Sequence, residues 1–358
     1  MAAAQREMAL EVRIMVLTEA PTRVHEPYQV RVEEYRSFRR DGYLVVRGLV
    51  APEEAREWAD FTDDMMAGRR VMPGLPSPAE DATEAERRHF YDRIHMPHRT
   101  CELAERFLLH PRIVDVLEAL IGPDILGLQT MLFFKQPGQG GQGFHQDSYY
   151  IPTQPDTLIG AWMAIDPADE ENGCLWMTPG SQHEPIYPDC DGVTQQGDTI
   201  LRDIEAVKSV SHPDVEINTL AQVALRYDEE APIHAEPGDV VFFGGHVFHR
   251  SQANNSNRPR RAFVSHYCNA RSRIAWDHGS NRAHYEDADA TGATNHRHIL
   301  ARGTTHLPYA QPKFGTLCAA NAPELYGERF DDNRVKSMMG DSAGFMVLVP
   351  HEDAERDH

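Results

Sequence analysis

The chain has 358 residues, 41% of them apolar and 25% charged, enough to bury a sizeable core. Its 35 basic and 55 acidic side chains give a net charge of −20, which argues against nucleic acid or an anionic membrane surface as partner. Five cysteines without Cys-x-x-Cys spacing fit reduced thiols, and no apolar run approaches the ~18 residues of a membrane span, so a soluble, cytoplasmic protein is expected.

Residues 1–31 read as an N-terminal extension. Arg6, Glu7, Glu11 and Arg13 interrupt any apolar run of the kind a signal peptide needs, and Pro21 and Pro27 oppose a continuous helix. From Val32 the pattern predicts a helix stopped at Asp41-Gly42, then a short strand Tyr43–Val46. Pro52 starts a second helix through EEAREWADFTDDMM. Residues 71–85, rich in Pro, Ala and acids, read as a loop or lid. Helices are expected at Glu102–Leu109 and, after Pro111, over IVDVLEALIG, the latter ended by Gly122.

Beyond Pro123 the texture changes to strand-length apolar runs bounded by turn residues: ILGLQTMLFFK, LIGAWMAID, GCLWMTPGS, DVVFFGG and RAFVSHYCNA. Such a succession predicts a β-sandwich or jelly roll. A polar, charge-mixed segment at about 188–232 reads as an insertion between strands. One domain is therefore expected over 32–275. Residues 276–358 form a C-terminal extension packed on the core or on a neighbouring subunit of a homo-oligomer. That extension carries His278, His284, His296, His298 and His306, and a helix is expected near Pro323–Phe330.

Three stretches carry chemistry. In Phe144-His145-Gln146-Asp147, an extended backbone would put His145 and Asp147 on one face, where an imidazole and a carboxylate can share a metal ion. A second histidine would complete a 2-His-1-carboxylate facial triad, the signature of non-haem Fe(II) oxygenases. Either His246 or His249 in GGHVFHRS could supply it; three apart on a strand, they would face opposite ways, so only one should reach the ion. Asn257-Arg258-Pro259-Arg260-Arg261 is a basic cluster in an acidic protein, and a guanidinium there can clamp the distal carboxylate of a 2-oxoacid.

These stretches, with DGYLVVRGLV, LQTMLFFKQPG, LIGAWMAIDPADEENGCLWMTPGSQH and EPGDVVFFGGHVFHRSQANNSNRPRRAFVSHY, resemble the phytanoyl-CoA dioxygenase family of Fe(II)/2-oxoglutarate oxygenases. The likeness runs from about residue 32 to 270. It implies a mainly β fold with helical additions (α+β): a double-stranded β-helix, or cupin-like jelly roll, flanked by N-terminal helices. It further implies His145, Asp147 and His249 as iron ligands, with His249 favoured because Ser251 follows at the second position. The family's cosubstrate arginine falls eleven residues beyond that histidine, at Arg260. Gln129, Met131, Lys135, Trp162 and Ser251 match positions lining the 2-oxoglutarate pocket.

The implied activity is hydroxylation or desaturation of an unactivated C–H bond in a small metabolite or natural-product intermediate. Fe(II), 2-oxoglutarate and O2 take part, ascorbate supports turnover, and succinate and CO2 leave. Asp147 disfavours halogenation, since related halogenases have a small residue there. Arg250 departs from the usual glycine after the distal histidine, and its side chain must either reach solvent or narrow the pocket. The rival readings are a cupin-type metalloenzyme that does not use 2-oxoglutarate, an inactive relative that binds metal or 2-oxoglutarate, and a fold in which the histidines merely pack. His246 is read as a packing or supporting residue, and one of Tyr149 and Tyr150 as facing the substrate.

Overall fold

Helix α1 (Val32–Asp41) ends on Gly42, which adopts φ 82° and returns its N–H to Phe38 O at 2.8 Å. A side chain at Gly42 would also run into those of Gln182 and Val247, so glycine is required twice over. β1 (Tyr43–Val46) follows, then α2 (Pro52–Met66) with proline in its first turn. The computed structural model describes residues 25–72, 78–188, 204–274, 298–305, 307, 310–314 and 316.

The stretch read as a loop ends in a helix that the reading missed, α3 (Glu84–Phe90). Thr83 Oγ1 accepts from Glu86 N at 3.3 Å and Glu86 Oε2 accepts from Thr83 N at 2.8 Å. This Thr-x-x-Glu box was visible in the sequence. β2 (Arg93–His95), also missed, has only three residues and no pattern of its own. α4 (Glu102–Leu108) and α5 (Pro111–Ile121) lead into the barrel. The rest runs β3 (Ile125–Lys135), β4 (Gln142–His145), α6 (Asp147–Tyr150), β5 (Thr153–Gln154), β6 (Ile159–Ala164), β7 (Leu175–Met177) and α7 (Thr219–Ala224). β8 (Ala231–Ile233), β9 (Val240–Gly244), β10 (His249–Ser251), β11 (Arg260–Asn269), β12 (Arg273–Ile274) and β13 (Ile299–Arg302) complete it.

These strands build two main antiparallel sheets in jelly-roll fashion, with β5 and β12 paired as a separate two-stranded sheet. The larger has the order β1-β9-β6-β11-β3-β13, with β2 also paired to β3; the smaller has the order β4-β10-β7-β8. Side chains alternate across the larger sheet. Leu132 and Phe134 of β3, and Phe263 and Tyr267 of β11, join a core with the helices, where Trp58 of α2 stacks on Phe263 at 4.9 Å. The opposite parity faces the smaller sheet. There Met131, Trp162, Val241, Phe243 and Val264 pack with Leu175, Met177 and Ile233.

The described part of the 188–232 segment is fastened to the site. Leu220, Ala221 and Val223 of α7 bury against Phe144 and Phe248, and Asn218 Nδ2 donates to Phe144 O at 2.9 Å. Gly143 N donates to Ser211 O at 2.9 Å, an approach so close that a Cβ at Gly143 would collide with the His212 carbonyl. β13, from the C-terminal stretch, pairs with β3, and Arg302 bonds Asp115 at 2.7 Å on α5. His298 is buried, whereas His278, His284, His296, His306 and Pro323–Phe330 lie outside the described residues. Among the described residues, no helix is long and apolar enough to cross a membrane.

Candidate active site

β4 and β10 are antiparallel neighbours with His145 directly opposite His249, their rings 4.1 Å apart. The expectation of one strand carrying both His145 and Asp147 needs correcting, because β4 stops at His145 and Asp147 opens α6. The same-face geometry survives because Gln146 between them is extended, at φ −121° and ψ 129°. His145 Nε2 and His249 Nε2 each lie 3.6 Å from Asp147 Oδ1. All three ligand atoms fall within 4.8 Å of one another.

The hydrogen bonds determine what these atoms offer. His145 Nδ1 donates to Gly143 O and His249 Nδ1 donates to Val247 O, each at 2.9 Å. A carbonyl can only accept, so both Nδ1 atoms carry the proton and both Nε2 atoms present bare lone pairs when the rings are neutral. Burial, reinforced by His249, pushes His145 down to about 3, so its ring is neutral at physiological pH. Gln142 Nε2 donates to that lone pair at 3.2 Å, a contact that an arriving ion would replace. Burial alone would raise the Asp147 carboxyl, but His249, His266 and His145 outweigh it and hold the group well below the usual carboxylate range.

His266 is the residue that motif reasoning missed. Its Nε2 donates to Asp147 Oδ2 at 2.9 Å, leaving Oδ1 directed at the two imidazoles. A signal was available: His266 is six residues past Arg260 on one strand, hence on the same face of β11. His266→Ala is expected to weaken Fe(II) binding about 10–100-fold without dispersing the three ligands, as read by metal titration.

At the other end of the cavity, Lys135 of β3 stands opposite Arg260 of β11. Both are buried, and neither has a carboxylate partner among the described residues. Arg260 Nη2 donates to Gly173 O at 3.0 Å, its Nε is unpartnered, and its Cζ lies 5.7 Å over the Trp162 ring. Lys135 Nζ donates to Ser251 Oγ at 2.9 Å and to Gln252 O at 2.5 Å. Burial, then the Arg260 charge, drops Lys135 to about 6, and burial lowers Arg260 to about 10. A buried guanidinium beside a buried lysine amine, neither compensated by a carboxylate among the described residues, is arranged for an anion. Arg258 and Arg261 are spent elsewhere, on Asp169 at 2.8 Å and on Asp166 at 2.7 Å.

The cavity between these ends measures about 650 Å³, and Gln129, Met131, Lys135, His145, Asp147, Trp162, His249, Ser251 and Arg260 all line it. Tyr150 lines it too, its hydroxyl 2.8 Å from Ser211 Oγ; Tyr149 does not. Arg250 narrows the wall rather than reaching free solvent, donating twice to Glu230 (2.5 and 2.6 Å) above the Phe144 ring. His246 lies apart from the three ligand atoms, paired with Asp156 at 2.5 Å and bonded to Glu184 O at 2.6 Å.

The sequence model of the family described as phytanoyl-CoA dioxygenase (PhyH) matches residues 38–262. The chain belongs to the phytanoyl-CoA dioxygenase family of Fe(II)/2-oxoglutarate oxygenases. Phytanoyl-CoA dioxygenase domain-containing protein 1 of Danio rerio is 27% identical over 276 residues, covering 65% of this chain and 88% of the relative. The peroxisomal phytanoyl-CoA dioxygenase of Rattus norvegicus is 27% identical over 249 residues, covering 66% and 68%. Among solved structures, the epimerase SnoN in complex with Fe3+, alpha ketoglutarate and nogalamycin RO superposes with a TM-score of 0.53 at 20% identity, covering 76% and 95%. EctD from S. alaskensis with bound Fe gives a TM-score of 0.52 at 20% identity, covering 70% and 82%. These structures share the fold. His266 lies just beyond the stretch matched to the phytanoyl-CoA dioxygenase family.

Proposed function

We propose that the chain is an Fe(II)- and 2-oxoglutarate-dependent dioxygenase that hydroxylates, or desaturates, an unactivated C–H bond of a small metabolite. The observation that carries this is directional. Two Nδ1–H groups spent on carbonyls, and one carboxylate oxygen spent on His266, leave three ligand atoms converging at one end of a cavity whose other end holds an uncompensated guanidinium beside a buried lysine amine.

His145, Asp147 and His249 would hold the iron, and Arg260 with Lys135 would take the distal carboxylate of 2-oxoglutarate. Trp162 and Met131 would wall the cosubstrate, with Gln129 and Ser251 offering it hydrogen-bonding groups. Bound iron and 2-oxoglutarate together supply the O2 chemistry, with succinate and CO2 leaving. The residues' work is to keep one side of the ion open, orient the cosubstrate and exclude water from the apolar wall. Arg93, on the cavity face of β2, has the Phe133 ring as its contact and no carboxylate partner among the described residues. That leaves one further cation at the rim for an anionic group of the substrate. We place the protein in the cytoplasm, supported by Cys101, Cys174 and Cys268 being buried free thiols.

The test is incubation with Fe(II), ascorbate, 2-oxoglutarate and O2, with succinate quantified. Slow succinate release even without substrate, strictly dependent on Fe(II), is the expected outcome. No succinate, together with no thermal shift on adding 2-oxoglutarate, would sink the reading.

A further inference from the structure

A second group of metal-ligating side chains lies outside the cavity, where three distant parts of the chain meet. His25 precedes α1, Glu54 sits in the first turn of α2, and His110 stands immediately before α5. Their ligand atoms lie within 4.8 Å of one another. His25 Nε2 is 3.3 Å from Glu54 Oε1, and His110 Nε2 is 3.3 Å from Glu54 Oε2. We propose that His25, Glu54 and His110 form a second metal site that takes a divalent ion of the Zn2+ class and fastens the segment before α1 onto α2 and α5.

Distance is the first argument. Charge-assisted N–H···O bonds run at about 2.7–2.9 Å, and both contacts here are longer. A tetrahedral ion with metal–N and metal–O bonds of about 2.0–2.1 Å sets its ligand atoms about 3.3 Å apart. The spacing is therefore poor for an ion pair and suited to the edges of a coordination tetrahedron.

Protonation is the second. His110 is buried and its Nδ1 has no hydrogen-bond partner among the described residues. Its Nε2 faces the Glu54 carboxylate at 3.3 Å, so an ion arriving between them would take the place of the Nε2 proton. Glu54 is ionised: burial would raise its carboxyl, but His110 and His25 bring it down to about 2. Ala51 N donates to Glu54 Oε2 at 3.2 Å and fixes the carboxylate, the kind of supporting bond that ligating carboxylates carry.

The donor set, two imidazoles and a carboxylate without thiolate, suits Zn2+ over softer ions. Three protein ligands leave the fourth position to water, which can arrive on the side of His25, whose side chain is 17% exposed. The segment is already pinned by Tyr28, whose N–H donates to Asp115 Oδ2 at 2.7 Å, so an ion at His25 would complete a clasp begun three residues later.

Cobalt(II) titration of the full chain tests this, because a tetrahedral site absorbs far more strongly in the visible than a six-coordinate one. The wild type should bind two equivalents, one of them strongly absorbing. Asp147→Asn should lose the weakly absorbing equivalent and keep the strong one, and Glu54→Gln should do the reverse, with Co(II) affinity at this site falling at least about a hundredfold. Glu54 also caps α2, so His25→Ala, read alongside circular dichroism, provides a variant that leaves that cap intact and should lose the same band. A wild type without the strongly absorbing equivalent, or absorption unchanged in both Glu54→Gln and His25→Ala, overturns the proposal and leaves a hydrogen-bonded cluster. Neither readout depends on turnover, so failure of this site and failure of the oxygenase reading are distinguishable.

Discussion

Asp147→Asn should reduce Fe(II) retention by more than about a hundredfold and remove 2-oxoglutarate turnover, while the fold stays intact. The asymmetry follows from the two carboxylate oxygens. Oδ2 accepts from His266 Nε2 at 2.9 Å, and Oδ1 faces His145 and His249, each at 3.6 Å. An asparagine can still turn its carbonyl oxygen to His266, which spares the buried donor that an alanine would orphan at about 1–3 kcal/mol. Its NH2 then points where the ion would sit and offers hydrogens instead of a lone pair. Outer partners of metal ligands already cost 10–100-fold when lost, so removing a ligand must cost more. Metal analysis after desalting, with circular dichroism as control, reads the result. A variant that keeps stoichiometric Fe(II) would show that Asp147 is not a ligand.

Arg260→Ala should separate the cosubstrate from the metal. It should retain Fe(II) within a few-fold of wild type, yet raise the KM for 2-oxoglutarate by about 30-fold to several thousand-fold, the equivalent of about 2–5 kcal/mol for truncating one partner of a buried charged pair. Arg258→Ala and Arg261→Ala provide the contrast, since their guanidinium groups are neutralised by Asp169 and Asp166 outside the cavity. Arg258→Ala should leave the KM near wild type. Arg261→Ala should lower stability first, because Arg261 also bonds Thr62 at 2.7 Å and so ties β11 to α2. Lys135 sharpens the same test. With no anion present it is held down to about 6, first by burial and then by Arg260. A bound dianion stabilises its charged form, so proton uptake should accompany 2-oxoglutarate binding near neutral pH. Equal effects of all three arginine substitutions on KM would contradict the assignment.

Much of this arrangement was legible in the sequence because local rules and tertiary structure agree there. Asp41-Gly42 stops α1 since only a residue tolerant of φ 82° can turn the chain so tightly into β1. The long runs that became β3 and β11 carry both parities at once, one toward the helices and one toward the cavity, so Arg260 and Lys135 meet across a strand pair. What escaped has physical causes. The extended-strand picture of His-x-Asp was too simple, because the strand breaks at His145 and only Gln146 keeps the alternation. β2 is three residues long and is placed by β3. The role of His266 emerges only when β11 is laid between β3 and β6, since nothing local ties it to Asp147 119 positions earlier. The 188–232 segment reads as polar, yet its Val207, Leu220, Ala221, Val223 and Ala224 bury against Phe144 and Phe248.

The most direct measurement is an anaerobic titration of the Fe(II)-loaded chain with 2-oxoglutarate, following the visible charge-transfer band that arises when a 2-oxoacid chelates ferrous iron. The account predicts a band that saturates at one equivalent, is absent in Asp147→Asn, and appears only at much higher 2-oxoglutarate in Arg260→Ala. No band in the wild type, or one unchanged in Asp147→Asn, would contradict it.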